Sequence, residues 1–342
     1  MRGQRDGHIK EMLAECAAEA IPEDINLWPA IAGRLQPSGH RQGPLSGMRS
    51  LLSRPPTWPM VMRSGAVVVV LALLVTVGGP LGNQGQPSAS AAPLLTGLAE
   101  VAAGQPAPAA GAENGYRYLK SEEMYLACTA GAGPEPASML CATDPKGREI
   151  WIAPDGSGRI REAAGERTFL SEGDRSAWAA AGLPTSASTT SQDFGPGELM
   201  YEDFAGLPTD PSALAAVIRQ RAEQADPPVD VEMFVVVGDL LRQPGVPPEV
   251  RSALYKVAAS IPGVELVGDM VDRAGRQGVA VAKTTDYWGA KERLVLIFDP
   301  ATSALLGEEQ VLLERADWTD ATPPVVIGYA TYLESSLVES LP

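Results

Sequence analysis

The chain has 342 residues, is 45% hydrophobic and carries a net charge of −15. That leaves room for one or two domains with a sizeable core, and the acidic excess excludes nucleic acid as a partner of the part that bears it. There are two histidines, His8 and His40. The long remainder therefore lacks a Ser-His-Asp set, a Cys-His set and a histidine metal site.

Residues 8–21, HIKEMLAECAAEAI, place Ile9, Met12, Leu13 and Cys16 on one face of an amphipathic helix, and Pro22 ends it. A second helical face follows with Trp28, Ile31 and Leu35. Residues 1–35 offer too little apolar surface for a domain of their own. They read either as a docking element for a cytoplasmic protein or as a weak hairpin on the membrane surface. Residues 36–57, rich in Gly, Pro, Ser and Arg, read as a juxtamembrane linker.

Residues 58–81 are expected to form the one transmembrane helix. Their core, residues 64–81, has no charge, and as a helix it spans about 27 Å, close to the hydrocarbon thickness of a bilayer. Residues 1–63 hold eight basic and six acidic side chains, so the negative excess lies wholly after the span. Five arginines and no acid separate Asp24 from the span. The positive-inside rule then predicts a cytoplasmic N-terminus and an extracytoplasmic remainder in the cell membrane. The rival reading is a signal peptide cleaved at Ala89-Ser90-Ala91. Against it stand the long segment before the apolar run and the ten residues from Leu81 to Ala91.

Residues 82–114 read as a flexible tether with a short helix at 94–103, and residues 115–342 as the exterior domain. Strand character covers 116–128. A hairpin is expected from 149–153 and 159–163 around Pro154-Asp155-Gly156-Ser157-Gly158, and 168–170 can add a strand. A helix is expected over 174–181 and an exposed loop over 185–197. Three more helices follow: one capped by Thr209 or Asp210 and running to Ala225, then 231–242 and 248–260. After Pro262-Gly263 the period becomes two, giving strands at 264–271, 278–284, 293–299, 305–314 and 325–337. Helices flanked by strands predict an α+β fold, an antiparallel sheet packed on a helical layer.

Cys128 and Cys141 are the only cysteines after the span, so they are expected to pair outside the membrane, with Cys16 reduced inside. Asp155, Asp272 and Asp299 sit in turn-forming strings and read as turn residues. Tyr116, Tyr118, Tyr125, Trp151, Trp178, Trp288 and Trp318 read as core and edge residues. No P-loop, GxGxxG, GxSxG or EF-hand string occurs, so neither a catalytic set nor a cofactor or metal is expected, and the chain reads as a protein without enzymatic activity.

Three strings carry a resemblance: LPTDPSALAAVIRQRA at 207–222, SALYKVAASIPGVELVGDMVDRAGRQGVAVA at 252–282 and LIFDPATSALLGEEQVLL at 296–313. They resemble an uncharacterised family of single-span bacterial membrane proteins, often encoded beside extracytoplasmic-function sigma factors. The resemblance implies a non-catalytic exterior sensor or binding domain. It also makes a sigma factor the leading partner of the arm, docking on Ile9, Met12, Leu13, Cys16, Trp28, Ile31 and Leu35. The His-then-two-Cys pattern of zinc-type anti-sigma factors is absent. A distant likeness to the lipoprotein-carrier fold makes a lipid or lipoprotein carrier the alternative, with an exported enzyme behind it.

Overall fold

Among the described residues the chain builds nine strands, and every neighbouring pair is antiparallel. The computed structural model describes residues 90–106, 115–130, 139–186, 188–199, 202 and 204–342. The expected arm, linker and span, and the first part of the tether, lie outside the described residues. No helix among the described residues is long and apolar enough to cross a membrane.

The first meander is β1 (Tyr116–Ala130), β2 (Met139–Ile152), β3 (Gly158–Ala164) and β4 (Thr190–Phe194). The second is β5 (Val264–Val271), β6 (Gln277–Thr285), β7 (Glu292–Phe298), β8 (Leu305–Leu312) and β9 (Val325–Val338). One sheet results, in the order β4-β3-β2-β1-β9-β8-β7-β6-β5. The last strand is thus the seam: Tyr118 pairs with Ser336 on one side of β9, and Gly307 with Thr331 on the other.

Among the described residues five α-helices accompany the sheet: α1 (Ala92–Ala103), α2 (Glu172–Ala180), α3 (Pro211–Ala222), α4 (Val229–Leu241) and α5 (Pro248–Ser260). The last three fill the connection between the meanders. Asp210 caps α3 by accepting from the Ala213 N–H at 2.9 Å, and Pro211 occupies the first turn, where its missing N–H costs nothing. The main core joins Leu214 and Ile218 of α3, Phe234 and Val237 of α4 and Leu254 and Tyr255 of α5 to Leu119, Ile150, Val281 and Phe298 of the sheet. Lys283 fixes the layer to the sheet. Its ammonium donates to Asp230 at the start of α4 and to the Pro262 carbonyl after α5, both at 2.6 Å.

Several expectations shift. The short helix expected within the tether is α1, and it packs into the core, since Leu95, Leu98, Ala99 and Ala102 repeat at helical spacing and are all buried. The first hairpin is longer than its sequence indicates. Asp144-Pro145-Lys146-Gly147 has the composition of a turn, yet it lies inside β2, where the Pro145 carbonyl accepts from Gly165 N–H at 2.8 Å. The expected loop at 185–197 contains β4, an edge strand whose only buried side chain is Phe194. A strand with so little burial carries no apolar alternation to read. The expected strand at 168–170 is reduced to a single bridge, Thr143 with Thr168.

Candidate functional site

On the face of the sheet that meets the helices, the apolar core gives way to a belt of charge. Register shows how it arises. Leu119 pairs with Ile150, and two residues further along the same face Ser121 pairs with Arg148, which pairs in turn with Glu162. Ser121 also pairs with Tyr332. Glu123 lies opposite Ala330, and Ala330 opposite Glu308. Period two therefore carries the row from β3 across the seam to β8.

The centre of the belt is Arg242, just beyond the end of α4. It is 5% exposed, as is Asp239 three residues before it. Arg242 donates to Asp239, and its Nε lies 3.1 Å from Glu308 of β8. Glu308 also accepts from the Tyr332 hydroxyl. Asp239 leaves its second oxygen, Oδ2, buried without a hydrogen bond. Burial pushes the Asp239 carboxyl up to about 7, against the pull of Arg242 and with help from Glu308 and Glu232. Burial opposes the charge of Arg242 too, but Asp239 and Glu308 outweigh it and hold the guanidinium well above its ordinary value. Tyr125 and Tyr332 are both pushed well above the usual phenol range, chiefly by burial.

Beside this centre, Arg148 stands between Glu123 at 3.6 Å and Glu162 at 3.3 Å. Ser121 donates to Glu123 at 2.7 Å, and Lys146 to Glu162 at 2.8 Å. Burial works against the Glu162 charge, but Arg148 and Lys146 prevail and hold it below the usual carboxylate range. Across the seam, Glu292 is 1% exposed and accepts from Gln310 at 2.5 Å. Burial pushes its carboxyl up to about 7.

Such a belt can hold charge and exchange protons near neutrality. It has no imidazole or thiol with which to attack a bond. Among the described residues no group of three or more His, Cys, Asp or Glu side chains is disposed to hold a metal ion.

The expected pair Cys128 and Cys141 is brought together. The two residues are direct partners across β1 and β2, with Cα atoms 4.1 Å apart and sulfurs 2.07 Å apart. Ile9, Met12, Leu13, Cys16, Trp28, Ile31 and Leu35 lie outside the described residues. Asp155, Asp272 and Asp299 act as turn residues: their carboxylates accept from the N–H groups of Ser157, Ala274 and Ala301. Trp151 stacks near Tyr118, and Trp178 lies buried under Arg167. Sequence reasoning passed over the belt itself. One signal was available: Asp239 is a lone acid in the apolar run FVVVGDLL. A second was the alternation of Ser121, Glu123 and Tyr125 in phase with Leu119. No protein-family model and no curated protein matches the chain.

Proposed function

We propose that this chain is a single-pass membrane protein that carries a non-catalytic sensor or binding domain outside the membrane. Residues 58–81 supply the span and residues 1–35 a cytoplasmic arm, and the whole works as a regulator associated with a sigma factor. The observation that carries this reading is the Cys128–Cys141 pair, built into neighbouring strands of the domain that follows the apolar run. Such a bond persists in oxidising compartments. The uncharged span, with its preceding arginines, supports the same orientation. So does the use made of the rival cleavage string: Ala91 is 1% exposed, and Ser90 pairs with Glu265.

Thiol labelling of intact cells tests the orientation. A membrane-impermeant reagent should reach Ser186→Cys and spare Ser38→Cys. Labelling of Ser38→Cys alone, or a mature protein beginning at Ala92, overturns the reading.

A further inference from the structure

The belt does not balance its charges. Its ion pairs join Glu123, Glu162, Asp239 and Glu308 to Lys146, Arg148 and Arg242, four acids to three bases. A neutral belt therefore holds one proton on a carboxyl, and the contacts select which. Glu162 has both Lys146 and Arg148. Glu308 accepts from Tyr332 and faces Arg242. Glu123 has one oxygen without a hydrogen bond, but that oxygen has Arg148 at 3.6 Å. Asp239 has Arg242 on one oxygen, and its other oxygen is buried with no partner.

An ionised Asp239 thus sets a buried charge against no donor, and a proton on it removes that charge. Glu232 of α4 and Glu308 of β8 face Asp239 and oppose its ionisation, while Arg242 favours it. Tyr125 of β1 and Tyr332 of β9 face Arg242, and burial keeps both phenols neutral. Burial outweighs Arg242, and the Asp239 carboxyl stands at about 7.

What hangs on Asp239 is the end of α4. The Arg242 N–H closes the last turn on the Gly238 carbonyl at 3.0 Å, and its guanidinium ties that turn to β8. Gln243 follows, and its side chain accepts from the Glu202 N–H at 2.9 Å. Glu202 in turn holds Arg221 of α3 through two hydrogen bonds. Then α5 begins at Pro248 and packs along α1.

We infer that the belt is a one-proton switch that reports the acidity around the domain. In acid, Asp239 takes a proton from water and the end of α4 seats against β8. On release of that proton the carboxylate draws water to its free oxygen, and the last turn of α4 lifts from the sheet. Gln243 moves with it, which loosens the hold on Glu202 and shifts the start of α5. The inference names the signal of the sensor domain proposed above and rests on that reading, but not on the anchor. Thiol labelling judges the anchor and hydrogen exchange judges the switch, so either can fail alone.

Hydrogen exchange of the full-length chain in nanodiscs is read at the amides of Arg242 and Gln243 and corrected for the intrinsic rate at each pH. The seated carboxyl keeps its proton where an open one has released it. Protection should therefore fall about tenfold per pH unit from the ordinary 3.8 towards about 7, and level off above. Asp239→Asn keeps the shape without titrating and should lose that slope. Glu308→Gln removes an opposing charge, keeps an acceptor for Tyr332, and should move the levelling point to lower pH. Glu292→Gln should keep the slope. Flat protection in the parent chain, an undiminished slope in Asp239→Asn, or a slope lost in Glu292→Gln overturns the switch. Where Asp239→Asn does not fold, Glu308→Gln decides, and an unmoved levelling point overturns the switch as well.

Discussion

Arg242 answers two carboxylates at once, Asp239 on its own helix side and Glu308 across on the sheet. Arg242→Met keeps most of the volume and removes the charge, leaving both acids buried without their partner. The expected cost is about 3–5 kcal/mol in urea unfolding, the range for breaking a buried pair from one side. A loss no larger than that of a surface substitution would show that the acids are solvated rather than paired. The acids also set a pH dependence. Asp239 and Glu292 are raised from ordinary values of 3.8 and 4.5 to about 7. The folded state thus binds their protons at pH values where the unfolded chain has released them. Their contribution to stability is complete below the ordinary values and is lost as pH rises to about 7. Glu292→Gln should therefore flatten the fall in stability between pH 4.5 and 7, measured by urea titrations across that range. An unchanged slope would remove Glu292 from the explanation. Glu162 and Asp230 are held below the usual range, so what they contribute is lost only as pH falls further.

Elements with one buried face were legible, and elements without one were not. The middle strands after Pro262 were legible as apolar runs between turn strings, since β6 and β7 bury both faces, Val281 and Leu296 in the main core and Ala280, Ala282, Val295 and Ile297 in a second cluster, and α5 spans the same residues, 248–260, in sequence and structure. The end strand β4 has five residues and one buried side chain, so no period announces it. The belt was hidden for a related reason. Its charged residues occupy inward positions of the pattern, and a polar inward position breaks the very alternation by which a strand is read. The paired partners are also distant in sequence, as with Glu123 and Arg148, or Arg242 and Glu308, and only the register of the sheet brings them together. The short helix α1 is a case where the pattern was visible but its destination was not. Leu98→Ala should cost about 2–5 kcal/mol, as for any well-packed core leucine, if α1 belongs to the domain. A value near zero in thermal or urea unfolding would return it to the tether. Replacing Cys128 and Cys141 by serine should cost roughly 2–3 kcal/mol, since the bond closes a short loop. Mass spectrometry of the non-reduced domain should find those two residues in one linked peptide pair.

At the scale of the molecule, the arm is where the regulator reading meets its own test. If the proposed arm docks a sigma factor, Trp28→Ala with Leu13→Ala should abolish its capture by the full-length protein and leave the proposed membrane anchoring unchanged, because each of the two helical faces expected from the sequence carries only a few large side chains and a partner would complete their burial. Equal capture by parent and double variant would leave the arm as a membrane-surface hairpin.

The position of β9 bears on how such a protein is made. It is the last of the nine strands to be synthesised, and it lies between β1 and β8. Tyr116, the first residue of β1, must wait for Val338 before its seam partner exists. Until then the two meanders are separate sheets, each with a bare inner edge. A growing chain therefore cannot complete this domain from its N-terminal end. The sheet closes only after the final strand has emerged. Nascent chains arrested before Val325 should remain sensitive to added protease, whereas chains extended past Val338 should become resistant in a single step.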